Sequence, residues 1–328
     1  MDPVAQARAN LDNWNDRRRH PGESSHWRRF NPVISSLSDL HEFRGVNASS
    51  GRHLGLDDAR ADQDVQTKAL FDELIAKWGL DRVLPLLEST VGTPPRVRLR
   101  RSTGPDVVTD FNDLFLVNFA LAFSRHFTMR RASAPILEIG GGYGGTVAKL
   151  ARVIPNVRFV LLDLPPAGLL QAFYLNELFP GEVSVMPIGS RRAAALPDCR
   201  FVICDPQGIN RSALQLSGVL NTRSFGEMER SVVARYFHLI QHSLVAEGIF
   251  MNVNRLQKIG YRFTQYPYDG HWDVVESGAA FAQEGLWTLT TRRRSSINPT
   301  FWSWTQAVPR QDMPSPVRRL LSQVRRIL

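Results

Sequence analysis

Five glycines fall in the six positions Gly140-Gly141-Gly142-Tyr143-Gly144-Gly145, directly after the apolar run Ile136-Leu137-Glu138-Ile139 and directly before Thr146-Val147-Ala148-Lys149-Leu150. An apolar run that meets a glycine cluster and then continues at helical spacing reads as strand, tight turn and helix. Glycine is needed there because the turn adopts backbone angles that a side chain forbids, and because a cofactor lies against the main chain. Gly140, Gly142 and Gly145 have the spacing of a dinucleotide site, while Gly140, Gly142 and Gly144 equally have that of enzymes using S-adenosylmethionine (SAM). Glu138 separates the two. A carboxylate two residues before the first glycine would repel a phosphate and attracts the ammonium group of a zwitterionic ligand. Asp163 ends the next apolar run, 157–162, where a carboxylate accepts both ribose hydroxyls of either cofactor.

The stretch 136–165, the segment Gln171-Ala172-Phe173-Tyr174-Leu175 and the block Asn221-Thr222-Arg223-Ser224-Phe225-Gly226-Glu227-Met228 together resemble the sugar O-methyltransferase family of class I SAM-dependent enzymes. The resemblance spans roughly residues 85–290, and the Ser-Phe-x-Glu-Met block is its most specific part. It implies SAM as the cofactor, held by Glu138, Gly140, Gly142, Tyr143, Gly144, Asp163, Leu164 and Asn221. It also implies transfer of a methyl group to a hydroxyl of a sugar or glycoconjugate. Two other readings stand beside it: an NAD(P)-dependent oxidoreductase, disfavoured by the position of Glu138, and a catalytically silent SAM-fold protein that binds nucleic acid or anionic lipid.

Methyl transfer from a sulfonium is an in-line displacement, so the protein has to align two atoms and remove a proton from the acceptor. A sugar hydroxyl profits from a general base, which directs attention to acids and histidines near strand ends. Glu227 is the first candidate, although an acid in a first helical turn is also favoured by the helix dipole. Asn221, Thr222 and Ser224 beside it suit hydroxyl binding or helix capping. A second cluster, Tyr261, Tyr266, Tyr268, Asp269, His271 and Trp272, combines flat faces for a pyranose with two proton acceptors, and makes His271 and Asp269 the other catalytic candidates; an aromatic hairpin is the plain alternative. His238 and His242 sit four apart on one helix without a companion acid motif, so no metal is expected.

These residues need an alternating scaffold. The expected fold is α/β, a Rossmann-like class I methyltransferase sheet with helices on both faces and a helical N-terminal extension. The first strand is 136–139, the second 157–162, the third 182–186 and the fifth 247–253, with the last two near 272–276 and 286–291 as a final hairpin. Two runs compete for the fourth, 201–205 and 216–221. The latter feeds the helix 227–244, which leaves 201–205 as an extra strand or an insertion at the domain's edge. A helix over 110–127 carries an aromatic stripe that packs as core; by the resemblance it lies on the sheet and partly lids the cofactor. Ahead of it, Val65, Leu70, Phe71, Leu74, Ile75 and Trp78 form one apolar stripe stopped by Gly79. The expected organisation is an N-terminal extension over 1–95, the SAM-binding domain over 96–294, and a basic tail over 295–328.

The remaining features bound the partners. The 328 residues are 43% hydrophobic and 9% aromatic, globular values that exclude wholesale disorder. Cys199 and Cys204 are too few for a disulfide framework or a four-ligand zinc site. No apolar run approaches a membrane span and the N-terminus lacks a signal-peptide core, so a cytoplasmic location is expected. Net charge is +9, carried by arginine with only four lysines, a bias that is weak evidence for nucleic acid as a partner. The first 65 residues read as polar and irregular, with Arg17-Arg18-Arg19-His20 and Trp27-Arg28-Arg29-Phe30 as basic clusters. Val317, Leu320, Leu321, Val324, Ile327 and Leu328 share a helical face ringed by arginines, suited to packing against the protein or, less readily, to peripheral contact with a membrane. Homo-oligomer formation is left open by the sequence.

Overall fold

The computed structural model describes residues 2–16, 39–43, 59–88, 90–94, 96–101, 103–128, 134–188, 196–206, 209, 214–283 and 285–306, together with 23, 24, 27, 28, 31, 32 and 34. The arginine cluster at 17–20 and the amphipathic segment 317–328 lie outside the described residues.

The chain opens with helix α1 (Pro3–Asn15), where an irregular segment was expected. Asp2 caps it by accepting from the N–H groups of Val4 and Ala5, Pro3 supplies the first helical position, and Ala7, Leu11 and Trp14 are buried at helical spacing. Helix α2 (Ala59–Trp78) ends at Gly79, whose φ of 84° closes it. Leu70, Phe71, Leu74 and Trp78 of its stripe are buried, whereas Val65 is exposed. A short hairpin, β1 (Val97–Leu99) with β2 (Val107–Thr109), leads into α3 (Phe111–His126), capped by Asp110 through the N–H of Asp113.

The central sheet has eight strands. In chain order β3 (Ile136–Ile139), α4 (Gly145–Val153), β4 (Phe159–Leu162), α5 (Pro165–Leu178), β5 (Val183–Val185), β6 (Phe201–Cys204), β7 (Leu216–Thr222), α6 (Arg230–Ser243), β8 (Leu244–Arg255), β9 (Trp272–Ala279) and β10 (Leu286–Arg293) give the spatial order β5-β6-β4-β3-β7-β8-β10-β9. The first six of these are parallel; β10 runs against both β8 and β9. The α/β, Rossmann-like architecture with helices on both faces is thus present, and its order reverses at β3, where ligands bind beyond the strand C-termini.

Run 201–205 departs from expectation. It does not lie at the edge: β6 pairs with β4 on one side and β5 on the other, and all four of its residues are buried. A run of Phe, Val, Ile and Cys without alternation suits a strand covered on both faces, which is an interior position.

One face of the sheet is covered by α1 to α5 in a single core that joins Leu11, Phe43 and Leu74 to Phe119, Leu150, Leu170 and Phe201. The N-terminal extension therefore shares its core with the sheet. On the other face α6 packs with Phe225, Tyr266, Tyr268, Trp272, Phe301 and Trp304, so the residues just beyond 294 are also part of the body. No helix among the described residues is long and apolar enough to cross a membrane.

Candidate active site

The glycine loop occupies the C-terminal end of β3, and its glycines serve different ends. Gly140, Gly142 and Gly144 have φ of 64°, 62° and 84°, angles open to glycine and strained for other residues. A Cβ at Gly140 would lie 2.3 Å from the Ser224 hydroxyl oxygen, and one at Gly141 would lie 2.2 Å from a carboxylate oxygen of Glu138. A Cβ at Gly142 would meet nothing within 4 Å, so that peptide faces open space. Close packing under the loop and room above it is the shape of a ligand cradle.

Glu138 lies beneath this loop, fully buried, and among the described residues neither carboxylate oxygen makes a hydrogen bond of ordinary geometry. Burial raises its pKa to about 8, the charge of Asp163 adds to the rise, and the Thr146 hydroxyl offsets part of it. A buried carboxyl without a partner is costly unless something brought to the site completes it.

Asp163 follows β4. Its carboxylate accepts the Leu164 N–H at 2.8 Å and the Gln171 amide at 3.1 Å, and the same amide donates to the Gly142 carbonyl at 2.9 Å. Gln171, from α5, thereby locks the acid to the loop. Burial still dominates and lifts Asp163 to about 7, while hydrogen bonds from Leu164, Gly142 and Gln171 lower it and the charge of Glu227 raises it. Leu164 buries its side chain and begins α5.

Tyr143 leans on Phe43 and Tyr174 with ring centres 5.5 and 4.8 Å away, so residue 43 of the N-terminal extension closes over the outer side of the loop. The Tyr143 hydroxyl accepts weakly from Asn112 at 3.4 Å, and Asn112 in turn accepts from Arg223 at 3.1 Å. Arg223 directly follows β7 with φ of 64°. A non-glycine residue held in the left-handed region stores about 1–3 kcal/mol, a cost concentrated at functional sites.

Asn221 is placed differently from a free ligand. Its amide donates to the Ile139 carbonyl at 2.9 Å and the Ser224 hydroxyl at 2.5 Å, and its oxygen accepts from the Phe225 N–H at 3.2 Å and from Asn254 at 2.7 Å. It ties β7 to β3 and β8 and positions the 224–228 turn. Glu227 is at the mouth of that turn, paired with Lys258 at 2.6 Å, and the loop carrying Lys258 is pinned by the Ile259 N–H on the Gly226 carbonyl at 3.0 Å.

Asp269 and His271 are not in this crevice, which corrects their assignment as catalytic candidates. Strand register pairs Trp272 with Arg293 and Arg292 with Ile249, whereas the crevice end of β8 is Arg255, paired with Leu286. The six residue steps from Ile249 to Arg255 span about 20 Å. At the far end Asp269 is held by Arg293, at 2.5 and 2.9 Å, which with the His271 N–H keeps its carboxylate below the usual range against the opposing effect of burial. Tyr266 and Tyr268 are core residues, packed against Phe237. His238 and His242 are exposed neighbours on α6.

Three further residues belong to the site. Gln171 is visible in sequence only as part of the resembling segment; Arg223 carries no periodic signal. Asp205 ends β6 and lines a small cleft with Asp163, and it had a signal: an apolar run closed by an acid, as in 157–163.

No family model and no curated protein sequence matches the chain. Among solved structures it is similar to the pyocyanin biosynthetic protein PhzM, at 14% identity and a TM-score of 0.38, over 56% of this chain and 58% of that one. The mitomycin 7-O-methyltransferase MmcR matches at 13% identity and a TM-score of 0.35, over 56% and 57%. An O-methyltransferase family protein from Burkholderia thailandensis matches at 12% identity and a TM-score of 0.37, over 57% and 59%. The chain thus spans less than two thirds of the length of each of these proteins.

Proposed function

We propose that this protein is a SAM-dependent O-methyltransferase acting on a hydroxyl of a sugar or glycoconjugate. The observation that carries the reading is Glu138, a buried carboxyl that makes no hydrogen bond of ordinary geometry among the described residues, set under a glycine loop whose Gly142 peptide faces open space. An amino-acid ammonium is the group it lacks. A pyrophosphate fits poorly, because it would set its own charges beside three acids, Glu138, Asp163 and Glu227, and it brings no donor to the Glu138 carboxyl. The residues therefore suit SAM, which supplies an electrophilic methyl group when bound.

The chain's own residues do the rest. Glu138 receives the ammonium, Asp163 accepts ribose hydroxyls while Gln171 holds it against the loop, and Tyr143 walls the site with residue 43 behind it. Glu227 is the candidate base for the acceptor hydroxyl, with Lys258 fixing its orientation. Asn221 and Asn254 act as positioning residues for the turn that carries it. The sugar as acceptor comes from the resemblance of the 221–228 block.

Incubation with SAM labelled on the methyl group and a panel of neutral and acidic sugars tests this. Label in a base-stable methyl ether of a sugar is the expected product. Label appearing only on nitrogen or sulfur acceptors, or oxidation of a sugar with NAD(P) and no label transfer, would replace the reading.

A further inference from the structure

Arg223 is a half-buried guanidinium directly after β7, at the crevice end of the parallel strands, and its environment is incomplete. Among the described residues its side chain makes one hydrogen bond, to the neutral amide oxygen of Asn112, and no ion pair. Its plane rests over Phe115 and Phe119, 5.9 and 5.6 Å from the ring centres, which fixes the group without neutralising it. Glu227, the acid whose charge acts on it, is already paired with Lys258 at 2.6 Å, and Arg255 adds a second positive charge nearby. Desolvation is the main cause that lowers the Arg223 pKa, as for a cation awaiting a partner. The backbone offers no reason for arginine at this position, since φ of 64° suits glycine or asparagine.

Resting on the methyltransferase reading, we propose that Arg223, assisted by Arg255 and Lys258, forms an oxyanion subsite, and that the methylated hydroxyl belongs to an acidic sugar carrying a phosphate or a carboxylate. A planar guanidinium held by aromatic faces presents two parallel N–H groups, which match either oxyanion. Arg223 follows β7 and rests on α3, whereas Glu138 lies beneath the glycine loop on β3 and Asp163 follows β4.

The test is calorimetric titration of the full chain, with and without saturating SAH, using glucose 1-phosphate, glucuronate and glucose. The charged sugars are expected to bind at least about tenfold more tightly than glucose, the scale of one charge-assisted hydrogen bond. Whichever of the two binds more tightly identifies the oxyanion. Arg223→Asn, which tolerates the backbone angle and removes the charge, should abolish that preference; Arg223→Lys, which keeps the charge and loses the fork, should retain part of it. SAH affinity should stay within about threefold in both variants, since a shared hydrogen bond would cost more. Equal binding of all three sugars, no binding of any, or an unchanged preference in Arg223→Asn would overturn the proposal. So would a loss of SAH affinity as large as the loss of sugar affinity, which would assign Arg223 to the cofactor carboxylate. Failure of the wild-type chain to bind SAH, with the anion preference intact in its absence, would remove the methyltransferase reading and leave the subsite supported.

Discussion

At the scale of single residues, the roles divide by position along the strands. Glu227 sits at the crevice end of the parallel strands and His271 at the opposite end, about 20 Å of strand away. Glu227→Gln should therefore keep SAH affinity and lower kcat by roughly two to four powers of ten, the range for losing a general base. His271→Ala should leave kcat and KM unchanged. A turnover assay on both variants checks this, and a His271→Ala enzyme as impaired as Glu227→Gln would contradict the placement. The glycine loop, Glu138 and Asp163 were legible in sequence because each is a local signal, a strand end next to a turn. The aromatic cluster at 261–272 misled because residue types do not encode strand direction. Once β8 and β10 are antiparallel and β9 reverses again, the segment before β9 falls at the far edge of the sheet. Arg223 was not legible at all, since its significance lies in a backbone angle and in neighbours from α3.

At the scale of elements, alternation of apolar runs with amphipathic segments located the helices and strands from α3 onward to within a few residues, while α1 and the β1–β2 hairpin were not anticipated. It misplaced β6 at the edge, because sequence order does not say where in the sheet an extra strand inserts; the edge strand on that side is β5. What aligns the elements around the loop is a buried polar tie. Lys149 of α4 pairs with Asp113 of α3 at 2.7 Å, with side chains 1% and 0% exposed, and also donates to the Leu86 carbonyl at 2.8 Å. The second oxygen of Asp113 accepts the Glu88 N–H at 3.0 Å, so one ion pair joins three segments. Removing one partner of such a pair leaves an uncompensated buried charge and costs about 3–5 kcal/mol. Asp113→Asn should show that loss in urea unfolding, while Asp113→Leu combined with Lys149→Met should lose less. A single variant within 1 kcal/mol of wild type, in the same measurement, would show that the pair is solvated and does not align the helices.

At the scale of the whole molecule, the N-terminal extension completes the site. Helix α1 is fixed to the sheet edge through Asn10, which donates to the Met186 carbonyl at 2.8 Å and accepts the Ile188 N–H at 3.2 Å. Phe43, fully buried, closes over Tyr143, Phe173 and Tyr174. A boundary at 95, natural in sequence where Pro94-Pro95 breaks the pattern, is not a boundary in packing. The extension presses on α5 and on Tyr143 of the loop and lines the cleft beside Asp163 through Ala7 and Asn10, and the burial of Glu138 and Asp163 sets the pH response of the site. With pKa values near 8 and 7, both carboxyls carry protons in the unliganded protein at mildly acidic pH. The ligand's ammonium group pairs with ionised Glu138 and its ribose hydroxyls donate to ionised Asp163, so binding below these values must release protons, and affinity must rise with pH and level off above about 8. Calorimetric titration of the chain with SAH from pH 6 to 9, in two buffers of different ionisation enthalpy, measures this directly. The account predicts a single site, proton release that fades as pH approaches 9, and a large loss of both affinity and pH dependence in Glu138→Gln. Binding of NADH in preference to SAH, or SAH affinity that ignores both pH and the Glu138→Gln change, would contradict it.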